Sequence, residues 1–156
     1  IEHVRFEKTT YNVLPYKFEA GTPNYVGSYA FGKAIEYMQS VGLEAIASHE
    51  HELTLYLEAQ LLALPNVRVY AAGLRKAGAV SFNVYRADEA LIHPFDVGVL
   101  LDRQGVAVRT GHHCAEPLID HLQVPGTVRA SVALYNTKED IDSFIAALKK
   151  AIMMLE

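Results

Sequence analysis

The sequence predicts an α+β sandwich, with helices packed on a small sheet. Three observations carry this. Two stretches, Leu43 to Leu64 and Ile141 to Leu155, repeat apolar residues at helical spacing. Four short runs, Val67–Tyr70, Ala79–Tyr85, Val106–Val108 and Val128–Leu134, read as strands bounded by turn residues. Along the chain the order is two helices, two strands, a helix, a strand, a short helix, a strand and a helix.

Each element follows from local chemistry. In Ile1 to Thr10, Val4 and Phe6 alternate with charges, the pattern of a short strand or a lead-in arm. Tyr11 to Phe18 contains Pro15 and is expected to be extended. Gly21-Thr22-Pro23 is a turn into a helix over about Asn24 to Ser40, with Thr22 as N-cap and Pro23 at the first helical position. Gly42 breaks the chain. The second helix places Leu43, Ile46, Ala47, Leu53, Leu57, Leu61 and Leu64 on one face, with His49 and His51 as solvated surface histidines. Pro65-Asn66 ends it, and Gly73 to Gly78 links the first two strands. Pro94 opens a helix whose apolar side is Phe95, Val97, Val99, Leu100 and Leu101, and Gly105 ends it. Pro125-Gly126 is a turn, and the next strand puts Arg129 and Ser131 on one side. Thr137 and Asp140 resemble a capping box for the last helix, whose stripe is Ile141, Phe144, Ile145, Leu148, Ile152 and Leu155.

Composition narrows the function. The 156 residues suffice for one domain with a real core, and the net charge of −4 offers no basic stripe for nucleic acid. A single cysteine excludes an internal disulfide and suits a reducing cytoplasm. The longest apolar runs fall short of a membrane span, and the N-terminus has no signal-peptide pattern.

One stretch concentrates reactive chemistry: Arg109-Thr110-Gly111-His112-His113-Cys114-Ala115-Glu116-Pro117. It reads as strand, loop and short helix, and so holds the lone cysteine on a loop between regular elements. The thiolate is the nucleophilic form of cysteine, and at an ordinary pKa of about 8.5 only a few per cent is thiolate at neutral pH. Arg109, the two histidines and a following helix N-terminus would raise that fraction. A zinc module built from His112, His113, Cys114 and His121 is the competing reading. Structural zinc sites show paired ligands two to four residues apart, a pattern missing here, so no metal is expected.

The run Arg-Thr-Gly-His-His-Cys-Ala-x-Pro-Leu resembles the active-site loop of group II cysteine desulfurases. These are the sulfur-mobilisation and selenocysteine-lyase-like branch of the class V aminotransferases, fold type I enzymes that use pyridoxal phosphate. Phe18-Glu-Ala-Gly-Thr-Pro-Asn24 and Arg129-Ala-Ser-Val-Ala-Leu-Tyr-Asn136 resemble two further segments of that family, in the same order and with the same Cys114-to-Arg129 separation.

The resemblance implies a C-terminal small domain, residues 25–156, with a small, mostly antiparallel sheet. Residues 1–24 would be a lead-in segment returning from a large cofactor-binding domain. Cys114 would be the nucleophile that takes sulfur from L-cysteine, releases alanine and carries a persulfide for iron–sulfur cluster assembly or other transfer. Arg129 would bind the substrate carboxylate through its planar guanidinium, helped by Arg109. Thr22 would reach the cofactor phosphate of the partner subunit in a homodimer, and His112 and His113 would position the loop. L-Cysteine or selenocysteine would be the substrate and a sulfur-acceptor protein the partner, in the cytoplasm. The lysine that holds the cofactor lies upstream in the family. Lys8, Lys17 and Lys33 do not stand in its motif and no Gly-rich phosphate loop is present, so this chain alone is expected to be inactive. The alternative is a non-catalytic domain that only dimerises or docks a sulfur acceptor.

Overall fold

A computed structural model describes residues 1–156. The chain forms two compact units, Ile1–Leu43 and Glu44–Glu156.

In the first unit, β1 (His3–Val4) pairs antiparallel with β2 (Thr9–Thr10). The stretch expected to be extended instead closes a 3-10 turn over Tyr16–Phe18. The Lys17 and Phe18 amides find partners locally, at Val13 O (3.1 Å) and Pro15 O (3.0 Å). Helix α1 spans Tyr25–Val41. Its cap is Asn24, not Thr22: Asn24 Oδ1 accepts from the Gly27 amide at 2.9 Å. The Thr22 hydroxyl is thereby free of the capping role that sequence alone gave it. Gly42, at φ +96°, donates its amide to Met38 O and ends the helix. No residue of α1 is buried.

The second unit holds the core. Helix α2 (Leu43–Leu62) buries Ile46, Leu53, Leu57 and Leu61, while Leu43 and Ala47 stay exposed. The strands are β3 (Val67–Val69), β4 (Ala79–Tyr85), β5 (Leu91–Ile92), β6 (Arg109–Gly111) and β7 (Thr127–Ser131). Helices α3 (Pro94–Asp102), α4 (Glu116–Leu122) and α5 (Lys138–Leu155) complete it. The sheet runs β3-β4-β7-β6 with β5 also against β4, and every pairing is antiparallel. This is the α+β arrangement the sequence predicts.

Two strand boundaries differ from expectation. The run Val106–Val108 is not in the sheet; β6 starts three residues later at Arg109. Val106 turns its amide back to Leu101 O (3.0 Å), and Val106 and Val108 are half-buried against the core. Their β-branched side chains fill space rather than pair. β7 stops at Ser131, because Asn136 Oδ1 takes the Ala133 amide (2.9 Å) in a turn. The two-residue β5 has too short a run to signal itself. Its neighbour α3 is capped by His93, whose Nδ1 accepts from the Phe95 amide.

The sheet has two unlike faces. Val80, Phe82, Val84 and Val128 are 0% exposed and face the helices. Phe82 meets Phe144 of α5 edge-on, with ring centroids 6.0 Å apart. Successive strand residues point to opposite faces, so Ser81, Asn83, Thr127, Arg129 and Arg109 share the other one. Helix α5 starts on a full capping box: Thr137 Oγ1 accepts from the Asp140 amide, and the Asp140 carboxylate accepts from the Thr137 amide. It buries the expected stripe plus Ala147 and Ala151, with Leu155 half-buried.

Candidate functional site

The polar sheet face carries the site. The β6–β7 register sets Arg109 directly opposite Arg129, so both guanidinium groups rise from one face. Like charges in that position repel, and an anion between or beside them would relieve the repulsion. The lone cysteine is close by. Arg109 Nη2 donates to Cys114 Sγ at 3.6 Å, and Cys114 is exposed.

The loop reaches this position through an uncommon backbone. His113 and Cys114 both adopt left-handed φ, 56° and 58°. Gly111 precedes them at φ +111°, and Ala115 returns its amide to His112 O (2.9 Å). The left-handed region costs energy for a residue with a side chain, so something must hold the pair there. His113 does this. Its Nε2 lies 3.1 Å from Thr127 O and 2.9 Å from Thr127 Oγ1, and a proton on Nε2 donates to the carbonyl. Burial holds His113 below the ordinary imidazole value, against the opposing pull of the Thr127 hydrogen bond. The cations Arg129 and Arg109 and the neighbouring His112 add to the lowering. The ring is therefore neutral at pH 7. His112 differs: it is exposed, with Nδ1 3.9 Å from Glu116 Oε1.

A second observation marks the same face. Three buried side-chain polar atoms of the chain have no hydrogen-bond partner: Asn83 Oδ1, His113 Nδ1 and Arg129 Nε. Buried polar atoms are normally paired, so such orphans point to a place built for something else. All three lie on the polar face. His113 and Arg129 line a cavity of about 270 Å³, whose far side is Leu118, Ile119 and Leu122 of α4.

Of the residues the sequence singles out, Arg109, His112, His113, Cys114 and Arg129 come together. Thr22 lies in the first unit, exposed and outside the helix cap. No group of three or more His, Cys, Asp and Glu side chains is placed to hold a metal ion. Four site residues were not foreseen. Thr127 anchors His113. Asn83, 0% exposed, donates Nδ2 to Tyr70 Oη and to Gly126 O, both at 3.0 Å. Tyr70 and Lys76 line the cavity. Asn83 had a signal: with Ser81 it alternates against Val80, Phe82 and Val84 in β4. Thr127 and Lys76 had none.

Comparison with known proteins places the chain in a family. The chain matches the family "Aminotransferase class-V" over residues 1–144. It is 45% identical over 150 residues to a probable cysteine desulfurase of Halalkalibacterium halodurans, covering 96% of this chain and 36% of that protein. It is 45% identical over 142 residues to a cysteine desulfurase of Enterobacter sp., covering 91% and 34%. Among solved structures, the cysteine desulfurase CsdA of Escherichia coli superposes with a TM-score of 0.81 at 34% identity, over 99% of this chain and 37% of that one. The apo cysteine desulfurase of Thermococcus onnurineus superposes equally well, at 36% identity over 99% and 38%. The chain thus spans about a third of the length of these relatives. It belongs to the class V aminotransferase family.

Proposed function

We propose that this chain is the C-terminal, cysteine-bearing part of a pyridoxal-phosphate-dependent cysteine desulfurase. The observation that carries the reading is the contact of Arg109 with Cys114 Sγ at 3.6 Å, on a strand whose partner residue is Arg129. It joins a nucleophile to a paired-cation site for a carboxylate, the two groups that removing sulfur from an amino acid requires.

The residues present fit their share of the cofactor site. The Thr22 hydroxyl, unused by the helix cap, suits the phosphate of the partner subunit's cofactor. The orphaned Arg129 Nε and the Arg109–Arg129 pair suit a substrate carboxylate. Bound pyridoxal phosphate supplies the electron sink that activates the substrate at Cα. Arg129 holds the carboxylate and fixes the substrate's orientation. Cys114 Sγ, as thiolate, attacks the substrate sulfur; an S–S bond forms, the Cβ–S bond breaks, and its electron pair leaves with the carbon skeleton, which takes up protons to become alanine. His113 keeps the loop on β7, and His112, exposed but lining the same cavity, faces Glu116 at the start of α4. The persulfide on Cys114 then passes to a sulfur-acceptor protein. L-Selenocysteine fits the same site as a second substrate. The reading carries with it a cytoplasmic homodimer as the functional form.

The seven lysines of this chain do not supply the cofactor's attachment point. Lys76, the one lysine lining the cavity, is tied to Glu58 and to Ala71 O. The test is borohydride reduction of the full-length enzyme with pyridoxal phosphate, followed by peptide mapping. The pyridoxyl group is expected on a lysine outside these 156 residues, with no defined adduct and no alanine from the isolated chain. A stoichiometric adduct on one of its lysines contradicts the reading. The alternative, a domain that only dimerises or docks an acceptor, draws on the exposed Tyr25, Val26, Tyr29 and Phe31 of α1. It requires wild-type turnover when Cys114 is replaced.

A further inference from the structure

We infer that the buried Glu58–Lys76 pair is the positioning device for one wall of the arginine cavity, holding the segment Ala71–Gly78 so that a substrate carboxylate meets Arg129 in a fixed space. The inference rests on the reading of Arg129 as the carboxylate site.

Glu58 sits on the inner side of α2 and Lys76 on the loop between β3 and β4. Their side chains are 8% and 9% exposed, and Nζ lies 2.5 Å from Oε2. Every remaining bond of the pair goes to the same loop. Glu58 Oε1 accepts from the Gly73 amide at 2.6 Å. Lys76 Nζ donates to Ala71 O at 2.6 Å and to Leu74 O at 3.4 Å. The loop has no ladder of its own and turns through left-handed residues at Ala71 (φ 51°), Gly73 (76°) and Gly78 (66°). Its far end is pinned just past the end of β7, where the Val132 amide donates to Gly78 O at 2.7 Å. A side chain at Gly78 would come within 2.9 Å of Val132 O.

This loop leads straight into the site. Tyr70, Ala71, Lys76 and Ala79 line the cavity together with His113 and Arg129. Ser81, two residues beyond Ala79, is the register partner of Arg129. A buried ion pair is seldom a better stabiliser than apolar side chains of the same size, so stability alone does not account for it. What apolar side chains could not do is bind the Gly73 amide and the Ala71 carbonyl. That is a positioning task, and it sits one wall away from the arginine.

The experiment uses the full-length enzyme with pyridoxal phosphate and compares wild type, Glu58→Gln and the double variant E58M/K76M. The double variant replaces the pair by apolar side chains of similar volume and is expected to regain stability that Glu58→Gln loses by leaving Lys76 without its carboxylate, while the Gly73 amide and the Ala71 carbonyl stay without their side-chain partners. Both variants are expected to raise KM for L-cysteine on the order of 10-fold with a smaller change in kcat, because small displacements of a binding wall act strongly on productive orientation. Hydrogen exchange at the Gly73 amide is expected to speed up in both, a readout that does not depend on turnover. Wild-type KM and wild-type Gly73 exchange in both variants would overturn the inference. So would a KM defect that disappears in the double variant once stability is regained. A wild-type enzyme that releases no alanine from cysteine would instead overturn the proposed function.

Discussion

The two faces of β4 and β7 come from the same strands and do opposite work. On the helix side, Val80, Phe82, Val84 and Val128 are 0% exposed and hold the unit together. On the other side, Ser81, Asn83, Thr127 and Arg129 alternate with them, and the chain's orphaned polar atoms gather there. The period of two along a strand places a core and a site back to back, one residue apart. Neighbouring substitutions should therefore separate stability from chemistry.

The largest effect belongs to the site face. Cys114→Ala in the full-length enzyme is expected to cut alanine release from L-cysteine by on the order of 100-fold or more, since the proposed nucleophile is lost. Selenocysteine cleavage is expected to survive, because selenium leaves more readily. Equal loss of both activities would break the assignment of Cys114 to sulfur abstraction. Cys114 is exposed, so its removal should leave the melting curve in place.

On the core face, Phe82→Ala should cost about 3–5 kcal/mol of stability, the range for emptying a buried aromatic site. Denaturant melts measure this. Arg129→Ala is its counterpart next to Val128: KM is expected to rise about 10- to 100-fold, the loss of charge-assisted hydrogen bonds, with the melt little changed. An unchanged KM would remove Arg129 from carboxylate recognition. A melt as poor as that of Phe82→Ala would show that the two faces are not separable.

A smaller effect tests the loop anchor. His113 has a lowered pKa in the folded state, so between that value and the ordinary value of about 6.5 the unfolded chain binds more protons. The stability it contributes is complete above about 6.5 and is lost as pH falls toward the folded value. Wild type should thus lose more stability than His113→Gln between pH 7.5 and pH 5.5; parallel losses would mean that His113 titrates as a free histidine. Smallest is Thr137→Ala at the start of α5, expected to cost about 1 kcal/mol by removal of the capping oxygen, with no effect on KM.

The two faces were unequally legible in the sequence. The core face is written as alternation in Ala79–Tyr85 and as helical spacing in Ile141–Ile152, and those elements stand where periodicity puts them. Val106–Val108 misleads, because a β-branched run looks the same whether it pairs or merely packs. The cap of α1 misleads as well: Thr22-Pro23 and Asn24 both carry start signals, and only the geometry of Oδ1 on the Gly27 amide decides between them. On the candidate-site face, Cys114 and Arg109 stand out in their loop, and Arg129 through the family resemblance. The bonds that hold them do not. Thr127 to His113, and Glu58 to Lys76, join residues distant in sequence through single side-chain contacts that leave no periodic trace.

The most direct test of the central claim is intact-mass analysis of the full-length enzyme with pyridoxal phosphate and L-cysteine, with peptide mapping and alanine measured in parallel. The expected result is the added mass of one sulfur atom on Cys114, matched by one alanine released, and absent from Cys114→Ala. Alanine release without sulfur on Cys114, or sulfur carried at another residue, would contradict it.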